Sequence, residues 1–171
     1  IPADNPLTIE GIELGRLLFA DPILSVDSTV ACASCHLRES AFADARRFSK
    51  GVNGLTSRNS MPLFNLLWSP SFFWDGRSAS LEDQAIHPVQ NPIEMGEDWS
   101  TVTAKLTRHP TYPRLFAQAF GADKPIGQKL AVQAIAQFER TLVSADTKYD
   151  RWLAGTEEFT PEEERGFLLF H

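Results

Sequence analysis

Cysteine and methionine are scarce in this chain, which has two of each among 171 residues. Both cysteines lie in the stretch VACASCHLRES, residues 30–40, so a framework of several disulfides is excluded. No apolar run approaches the roughly 20 residues of a membrane-spanning helix. The 16 Lys and Arg are scattered and the net charge is −6, which argues against a nucleic-acid surface.

The rest of the composition is typical of a globular protein, with 43% hydrophobic and 22% charged residues. The length corresponds to one large domain or a little more. Ile1 is not preceded by Met or by a basic segment leading into an apolar one. We therefore expect a signal peptide either to have been removed or never to have existed.

Apolar residues recur at helical spacing along most of the chain, and alternation typical of strands is rare, which predicts an all-α fold. A Thr-Pro-Glu-Glu capping box at 160–163 marks a further helix start. The segment from Ala41 to Ser71 is rich in Gly, Ser and Asn and is predicted to be a long loop that wraps around something. The predicted helices are Glu10–Phe19, Ser80–Ile86, Ser100–Thr107, Tyr112–Phe120 and Gly127–Ser144.

The cluster Cys32-Ala33-Ser34-Cys35-His36 is compatible with a redox dithiol, half of a zinc site, a disulfide or a covalently attached haem. A dithiol of the thioredoxin type expects a βαβ setting, and zinc needs further ligands that the isolated His87, His109 and His171 do not supply. Haem uses all three residues, because two thiols add to the vinyl groups and the imidazole ligates the iron. Covalent haem attachment occurs outside the bacterial cytoplasm, so the cluster also predicts a periplasmic protein.

Four stretches resemble the bacterial dihaem cytochrome c peroxidase family, which also contains the methylamine-utilisation enzyme MauG. They are GRLLFADPILSVDSTVACASCH, RNSMPLFN, FFWDGRSASLEDQAIHPVQNPIEMGED and AQFERTLVS, and the resemblance runs from about Leu7 to the end. The family has two α-helical c-type haem domains, a peroxidatic one followed by an electron-entry one. The resemblance therefore implies a cytochrome c-type domain whose long loops wrap a haem c.

GRLLF at residues 15–19 recurs as GFLLF at residues 166–170, each after an acidic helix start. We therefore expect residues 1–155 to form the peroxidatic haem domain. Residues 156–171 then open a second c-type domain, truncated here, with a second CxxCH beyond His171.

The resemblance assigns roles to particular residues. His36 corresponds to the proximal ligand of the haem iron, and Cys32 and Cys35 to its thioether anchors. On the distal side, a peroxide is cleaved heterolytically only if a proton moves between its two oxygens, which requires a nearby carboxylate. Glu94 corresponds to that carboxylate, Gln84 to a hydrogen-bond donor and Pro88 to a residue that packs over the iron without offering a ligand.

Further expected roles concern the region between the haems. Trp74 corresponds to a tryptophan that assists electron transfer between them, whereas Trp68, Trp99 and Trp152 are expected to be core aromatics. Asn59 corresponds to a calcium ligand between the domains. Arg77 is expected to contact the cofactor by pairing with a haem propionate, or else to pair with Asp75.

Residues 37–59 contain no histidine, although many family members carry one there that blocks the peroxidatic iron. The haem is therefore expected to be five-coordinate or water-bound, with His87 as the one nearby imidazole able to ligate the iron, assist proton transfer or cap a helix end. A plain electron-transfer cytochrome c with Met95 as sixth ligand is the competing class.

The resemblance predicts a periplasmic enzyme that reduces hydrogen peroxide. Its electrons are expected from a small cytochrome c or copper protein through the second haem domain. A MauG-like enzyme that oxidises a protein substrate is the variant, and a homodimer remains open.

Overall fold

The computed structural model describes residues 1–170, and within them it is mostly helical, which confirms the predicted all-α class. One two-stranded antiparallel hairpin, four single-turn 3₁₀ helices and seven α-helices make up its regular structure. The strands are β1 (Lys50–Gly51) and β2 (Gly54–Leu55). The α-helices are α1 (Ile9–Ala20), α2 (Leu81–Gln90), α3 (Trp99–Arg108), α4 (Tyr112–Phe120), α5 (Gln128–Glu139), α6 (Lys148–Leu153) and α7 (Pro161–Phe170).

Two helices distant in sequence, α1 and α5, cross closely at the centre of the fold. Glycine permits this approach: a Cβ at Gly15 would lie 1.9 Å from the Ala134 carbonyl oxygen, and one at Gly11 would lie 2.1 Å from Gln137 Oε1. The start of α1 is tied to the same helix, since the Thr8 backbone N–H donates to Gln137 Oε1 at 3.0 Å. Glycine therefore sets the spacing of this helix pair.

The α1–α5 pair separates two buried apolar clusters. The larger one contains Leu14 and Leu18 of α1 and extends over α3, α4 and the inner face of α5. The smaller one contains Phe19, Leu81 and Ala136, with the partly buried Cys32 packed against it. The smaller cluster thus brings the end of α1, the start of α2 and the cysteine pair together.

The structure corrects the ends of two predicted helices and adds a third helix that was not predicted. Helix α2 does not stop at Ile86 but continues to Gln90 through Pro88, because the proline ring removes only one internal hydrogen bond. Helix α5 ends at Glu139 rather than Ser144, since Asn65 bonds the Leu142 carbonyl and the Ser144 N–H in place of further helix. Helix α6 was not predicted, although Thr147 and Asp150 form a capping box at its start.

The segment 41–71, called the central segment below, contains only the β1–β2 hairpin and one 3₁₀ turn, Leu66–Trp68. The loop prediction is therefore largely confirmed. Trp68, which was expected to be a core aromatic, is 66% exposed, so that prediction is wrong. Trp99 is buried as expected.

At the end of the described residues, α6 and α7 share an aromatic cluster. Trp152 stacks on Phe159 with centroids 4.5 Å apart, and Phe167 contacts both. The predicted capping box is present, with the Thr160 N–H donating to Glu163 Oε2 at 2.7 Å. The assignment of residues 156–171 to a second domain stays a prediction, and His171 lies outside the described residues.

None of the helices within residues 1–170 has the length and apolar character that crossing a membrane requires.

Candidate functional site

A cavity of about 400 Å³ opens between the cysteine cluster, the central segment, α2 and α5. This volume lies in the range of small-molecule and cofactor sites. Nine residues to which the sequence assigned a cofactor, catalytic or calcium role line it, although they come from four parts of the chain. They are Cys32, Cys35, His36, Asn59, Trp74, Arg77, Gln84, Pro88 and Glu94.

The imidazole of His36 is held by the turn that follows it. Its Nδ1 lies 2.8 Å from the Phe42 carbonyl oxygen, which makes Nδ1–H the donor and leaves Nε2 with a lone pair for a metal. Ala41 and Phe42 both have φ of 55°, a strained left-handed conformation that persists where function requires it. Burial lowers the pKa of His36 despite opposing backbone interactions with Phe42 and Met61, so the neutral form that can ligate a metal is favoured.

The two thiols are free, and neither has the properties of a reactive dithiol. Burial raises the pKa of Cys32 to about 12, and burial also raises the pKa of Cys35. The reactive cysteines of redox dithiols have lowered pKa values instead. Among residues 1–170 no group of three or more His, Cys, Asp or Glu side chains is arranged to bind a metal ion. The cluster therefore fits neither a redox dithiol nor a zinc site.

Helix α2 presents Gln84 and Pro88 to the cavity one turn apart. Pro88 lacks the N–H that would bond the Gln84 carbonyl within the helix. After the helix ends, Asn91 Nδ2 donates to Glu94 Oε1 at 2.8 Å and orients that carboxyl. Burial raises the pKa of Glu94, although Arg77 and Asn91 oppose the shift. A carboxyl with a raised pKa holds its proton more readily than an exposed one, which suits it to an acid–base role.

The β1–β2 hairpin holds the loop that carries Glu94, a function that the sequence analysis missed. The Val52 N–H donates to the Glu94 carbonyl at 2.9 Å, and the Asn53 N–H donates to the Ile93 carbonyl at 3.2 Å. A Cβ at Gly51 would lie 2.0 Å from the Ile93 carbonyl oxygen, so only glycine permits this contact. The Val-Asn-Gly sequence at 52–54 is the signal that predicts a tight turn here.

Charged groups form a network at the edge of the cavity. Asp75 accepts from both Arg58 and Arg77 at 2.8 Å, and these hydrogen bonds lower the pKa of Asp75 to about 2. The guanidinium carbon of Arg77 lies 3.4 Å from the centroid of the Phe73 ring. Of the two partners that the sequence left open for Arg77, the structure shows Asp75.

Trp74 is 60% exposed, which excludes a core role for it. Its indole Nε1–H donates to the Asn59 backbone carbonyl at 2.9 Å. The Asn59 amide in turn donates to the backbone carbonyls of Asp44 and Arg46, at 2.9 and 2.6 Å. Asn59 therefore joins three loop regions, and its role as a calcium ligand stays a prediction.

Two further residues bear on the iron's sixth position. His87 does not line the cavity: its ring packs against Phe73 with centroids 5.6 Å apart, and its Nε2 lies 3.9 Å from Asp83. Met95 lines the cavity and is 2% exposed. Within residues 1–170, His36 is thus the only histidine in the cavity wall.

Glu139 is a cavity residue to which the sequence analysis gave no role. It follows Ala131 and Ile135 at four-residue spacing on the buried face of α5, and a carboxyl in such an apolar series is the signal that could have identified it. Its Oε2 is buried, and no group among residues 1–170 hydrogen-bonds to it.

The donor set fits a covalently bound haem. Two protonated thiols stand beside an imidazole whose Nε2 is available, and apolar side chains such as Leu63 and Leu81 line the same cavity. A haem held through Cys32, Cys35 and His36 would occupy the space between that cluster and α2.

Comparison with known proteins agrees with a haem site. The family profile described as di-haem cytochrome c peroxidase matches residues 9–158. The chain is 41% identical over 171 residues to the methylamine utilization protein MauG of Methylorubrum extorquens, covering 99% of this chain and 48% of that protein. It is 38% identical over 173 residues to the cytochrome c peroxidase of Escherichia coli, covering 99% of this chain and 37% of that protein.

A solved structure of a MauG-like protein associated with microbial copper homeostasis superposes with a TM-score of 0.91. Its sequence identity is 36%, and the match covers 99% of this chain and 51% of that chain. The chain thus spans about half or less of the length of these relatives. The cavity, its donor set and these matches lead to one conclusion: the chain belongs to the di-haem cytochrome c peroxidase family.

Proposed function

We propose that this chain forms the peroxidatic half of a periplasmic dihaem c-type peroxidase, which reduces hydrogen peroxide at a haem whose distal face is open. The observation that carries the proposal is the composition of the cavity. His36 lies on one side with Nε2 available, and Gln84, Pro88 and Glu94 line the same space without a second imidazole. This arrangement provides an acid–base group and a hydrogen-bond donor on the side where peroxide would bind.

The haem would be anchored by thioethers from Cys32 and Cys35 and ligated by His36 Nε2. Once bound, it supplies the redox chemistry that delivers two electrons to peroxide. The overall reaction consumes one hydrogen peroxide, two electrons and two protons and releases two waters. Side chains of the protein would deliver the protons and orient the peroxide.

Glu94 would move the proton between the two peroxide oxygens. Its raised pKa favours the protonated form that can donate a proton, and Asn91 fixes the carboxyl through Oε1. Gln84 would donate a hydrogen bond to the negative charge that develops as the O–O bond breaks. Pro88, which has no N–H, would limit the space over the metal without competing for the peroxide.

Electrons would enter through a second haem domain, from a small periplasmic cytochrome c or a copper protein. Trp74 would lie on the route between the haems, since it is exposed and anchored to Asn59 at the edge of the cavity. Arg77 would contribute positive charge near the haem propionates while remaining paired with Asp75. Asn59 would bind calcium between the domains through its side-chain oxygen.

A MauG-like enzyme that oxidises residues of a protein substrate is the second candidate. It is favoured by the 41% identity to the Methylorubrum extorquens MauG and by the 36% identity to the MauG-like solved structure. The two candidates share the site described above. They are distinguished by measuring turnover with a reduced small cytochrome c against turnover with a protein substrate.

The variant Glu94→Gln tests the proton-transfer role. The amide keeps the shape of the side chain but cannot carry the proton, so the reaction with peroxide is expected to slow by about 10²- to 10⁴-fold. Stopped-flow mixing of the haem-loaded protein with peroxide measures the rate, and the pyridine haemochrome spectrum checks that haem remains attached.

The exposed Glu13→Gln variant is a matched control, because it removes the same charge away from the cavity. Its rate should equal that of the wild type. An unchanged rate in Glu94→Gln would contradict the assignment of Glu94.

A further inference from the structure

Glu139 is a buried acid that the proposed peroxide chemistry does not use. It ends α5, is 4% exposed and lines the cavity beyond Ile135 on the same helix face. Its Oε2 has no hydrogen-bond partner among residues 1–170. Burying a carboxyl without a partner is costly, so a carboxyl retained in such a position requires an explanation.

The charged groups around Glu139 do not neutralise it. The neighbouring Arg140 is engaged elsewhere, because its guanidinium makes two hydrogen bonds of 2.8 Å to Glu82 of α2. Glu82 itself carries the same charge as Glu139. Cys32, in the 3₁₀ turn Cys32–Ser34, lines the same cavity, and the charge of Glu139 helps to raise the pKa of its thiol. The negative charge of Glu94 also raises the pKa of Cys32, so Glu94 and Glu139 both contribute negative charge near this thiol.

The buried face of α1 adds no charge near Glu139. That face consists of Gly11, Leu14, Gly15, Leu18 and Phe19, whereas Glu10 and Arg16 are exposed. Burial therefore raises the pKa of Glu139 to about 8, and the attraction of Arg140 only partly opposes this shift. The protonated and ionised forms of the carboxyl are therefore balanced near pH 8, and the protonated form predominates about tenfold at pH 7.

A carboxyl in this balance responds to a change of charge nearby, because the low dielectric of the cavity screens the interaction poorly. Haem iron changes its charge by one unit when it gains or loses one electron. A more positive iron favours the ionised carboxylate, and a less positive iron favours the protonated acid. Glu139 lines the same cavity as Cys32, the first thioether anchor, and its charge helps to raise the pKa of that thiol, so its carboxyl would lie near a haem held there.

We propose that Glu139 is a redox-linked proton site: its carboxylate takes up one proton from solvent when the iron gains one electron from a one-electron reductant. The carboxylic acid releases that proton when the iron is oxidised. This inference rests on the haem assignment made above and is independent of what the enzyme oxidises. Glu139 would keep the net charge of the cavity constant while Glu94 handles the protons of the peroxide.

The test is a series of equilibrium redox titrations of the haem-loaded protein across about pH 6 to 10, a range centred on the titration of Glu139. One proton per electron changes the reduction equilibrium tenfold per pH unit. The midpoint potential of the His36-ligated haem should therefore fall by up to about 59 mV per pH unit over part of this range. Glu139→Gln keeps the size of the side chain and should remove that dependence.

Two variants serve as comparisons in the same titration. Glu97→Gln alters a buried acid that pairs with Lys105 and does not line the cavity, so its pH dependence should match the wild type. Glu94→Gln should also retain the dependence attributed to Glu139. A flat wild-type profile would overturn the proposal. So would a pH dependence that survives in Glu139→Gln or disappears only in Glu94→Gln.

A second readout applies if Glu139→Gln does not retain haem. Redox-difference infrared spectra of the wild type should show the C=O stretch of a carboxylic acid appearing on reduction, and Glu139→Asp should shift that band. A band that is absent or unshifted would contradict the proposal. A protein that shows the band but does not react with peroxide would contradict the proposed function alone.

Discussion

The α1–α5 pair and the central segment contribute to the same cavity through opposite kinds of structure. The pair is regular, its backbone hydrogen bonds lie within the helices, and its spacing is set by Gly11 and Gly15. The central segment has four strand residues and one 3₁₀ turn, yet it supplies the cavity wall from Ser49 to Leu66. The regular helices thus fix the shape of the domain, and the irregular segment positions side chains that line the functional site.

Polar contacts supplement the buried Leu63 and Leu66 in holding the central segment. Ser49 and Ser60 are joined through their hydroxyls at 2.7 Å, and the Asn59 amide bonds two carbonyls of the preceding loop. Few of these contacts bury apolar surface. We therefore expect substitutions in the helix pair to act mainly on stability and substitutions in the central segment to act mainly on the site.

The largest effect on stability is expected from Gly15→Ala in the helix pair. The added methyl would lie 1.9 Å from the Ala134 carbonyl oxygen, so the helices must separate, at a cost of about 3 kcal/mol. Urea unfolding followed by circular dichroism measures the loss. Gly166→Ala is the matched control, because its methyl meets nothing within 4 Å and should stabilise α7 slightly. Equal stabilities for the two variants would contradict the close helix crossing.

A smaller loss of stability, with a larger loss of activity, is expected from Gly51→Ala in the hairpin. The methyl would clash with the backbone of Ile93 and Glu94, at a cost of about 2 kcal/mol. The displaced Glu94 should slow the reaction with peroxide by about tenfold or more, measured by stopped-flow absorbance. Gly127→Ala adds a methyl in open space and should leave the rate unchanged. A normal rate in Gly51→Ala would show that the hairpin does not position Glu94.

The smallest effect is expected from the acid titration of Asp44. Its fully buried side chain accepts from the Arg46 guanidinium at 2.7 and 2.9 Å, which lowers its pKa from 3.8 to about 2. The pKa is lower in the folded state, so this stabilisation is complete above about pH 4 and is lost as the pH falls towards 2.

The corresponding variant is Asp44→Asn, which should remove a pH-dependent contribution on the order of 1 kcal/mol, since solvent screens the half-exposed Arg46. Thermal unfolding of both proteins between about pH 2 and 6 measures the difference. Parallel profiles would mean that the Asp44–Arg46 pair is not maintained in solution.

The contrast between regular and irregular structure also explains which helix ends the sequence predicted correctly. Tyr112–Phe120 was predicted with its correct ends, and α1 and α3 within one residue, because apolar periodicity follows from burial of one helix face. The end of α2 was missed because Pro88 removes only one hydrogen bond within the helix and does not end it. The end of α5 was missed because Asn65, far away in sequence, takes over hydrogen bonds that the periodicity attributed to a longer helix.

The site itself was predicted better than the loops that build it. The CxxCH cluster and the resemblance identified His36, Gln84, Pro88 and Glu94, and the structure brings all four to one cavity. The support of Glu94 by the hairpin and the burial of Glu139 were not predicted. The hairpin support depends on contacts between segments about 40 residues apart, which no local pattern encodes. The burial of Glu139 follows from its place on the buried face of α5, which the four-residue spacing could have indicated.

The central claim is that His36 ligates a haem whose other face is open, although the Met95 thioether lies in the cavity wall. The most direct measurement is the absorption and electron paramagnetic resonance spectrum of the ferric, haem-loaded protein. We predict a high-spin component from the His36-ligated haem. A protein without that component, whose near-infrared methionine band disappears in Met95→Leu, would contradict the claim and identify an electron-transfer cytochrome instead.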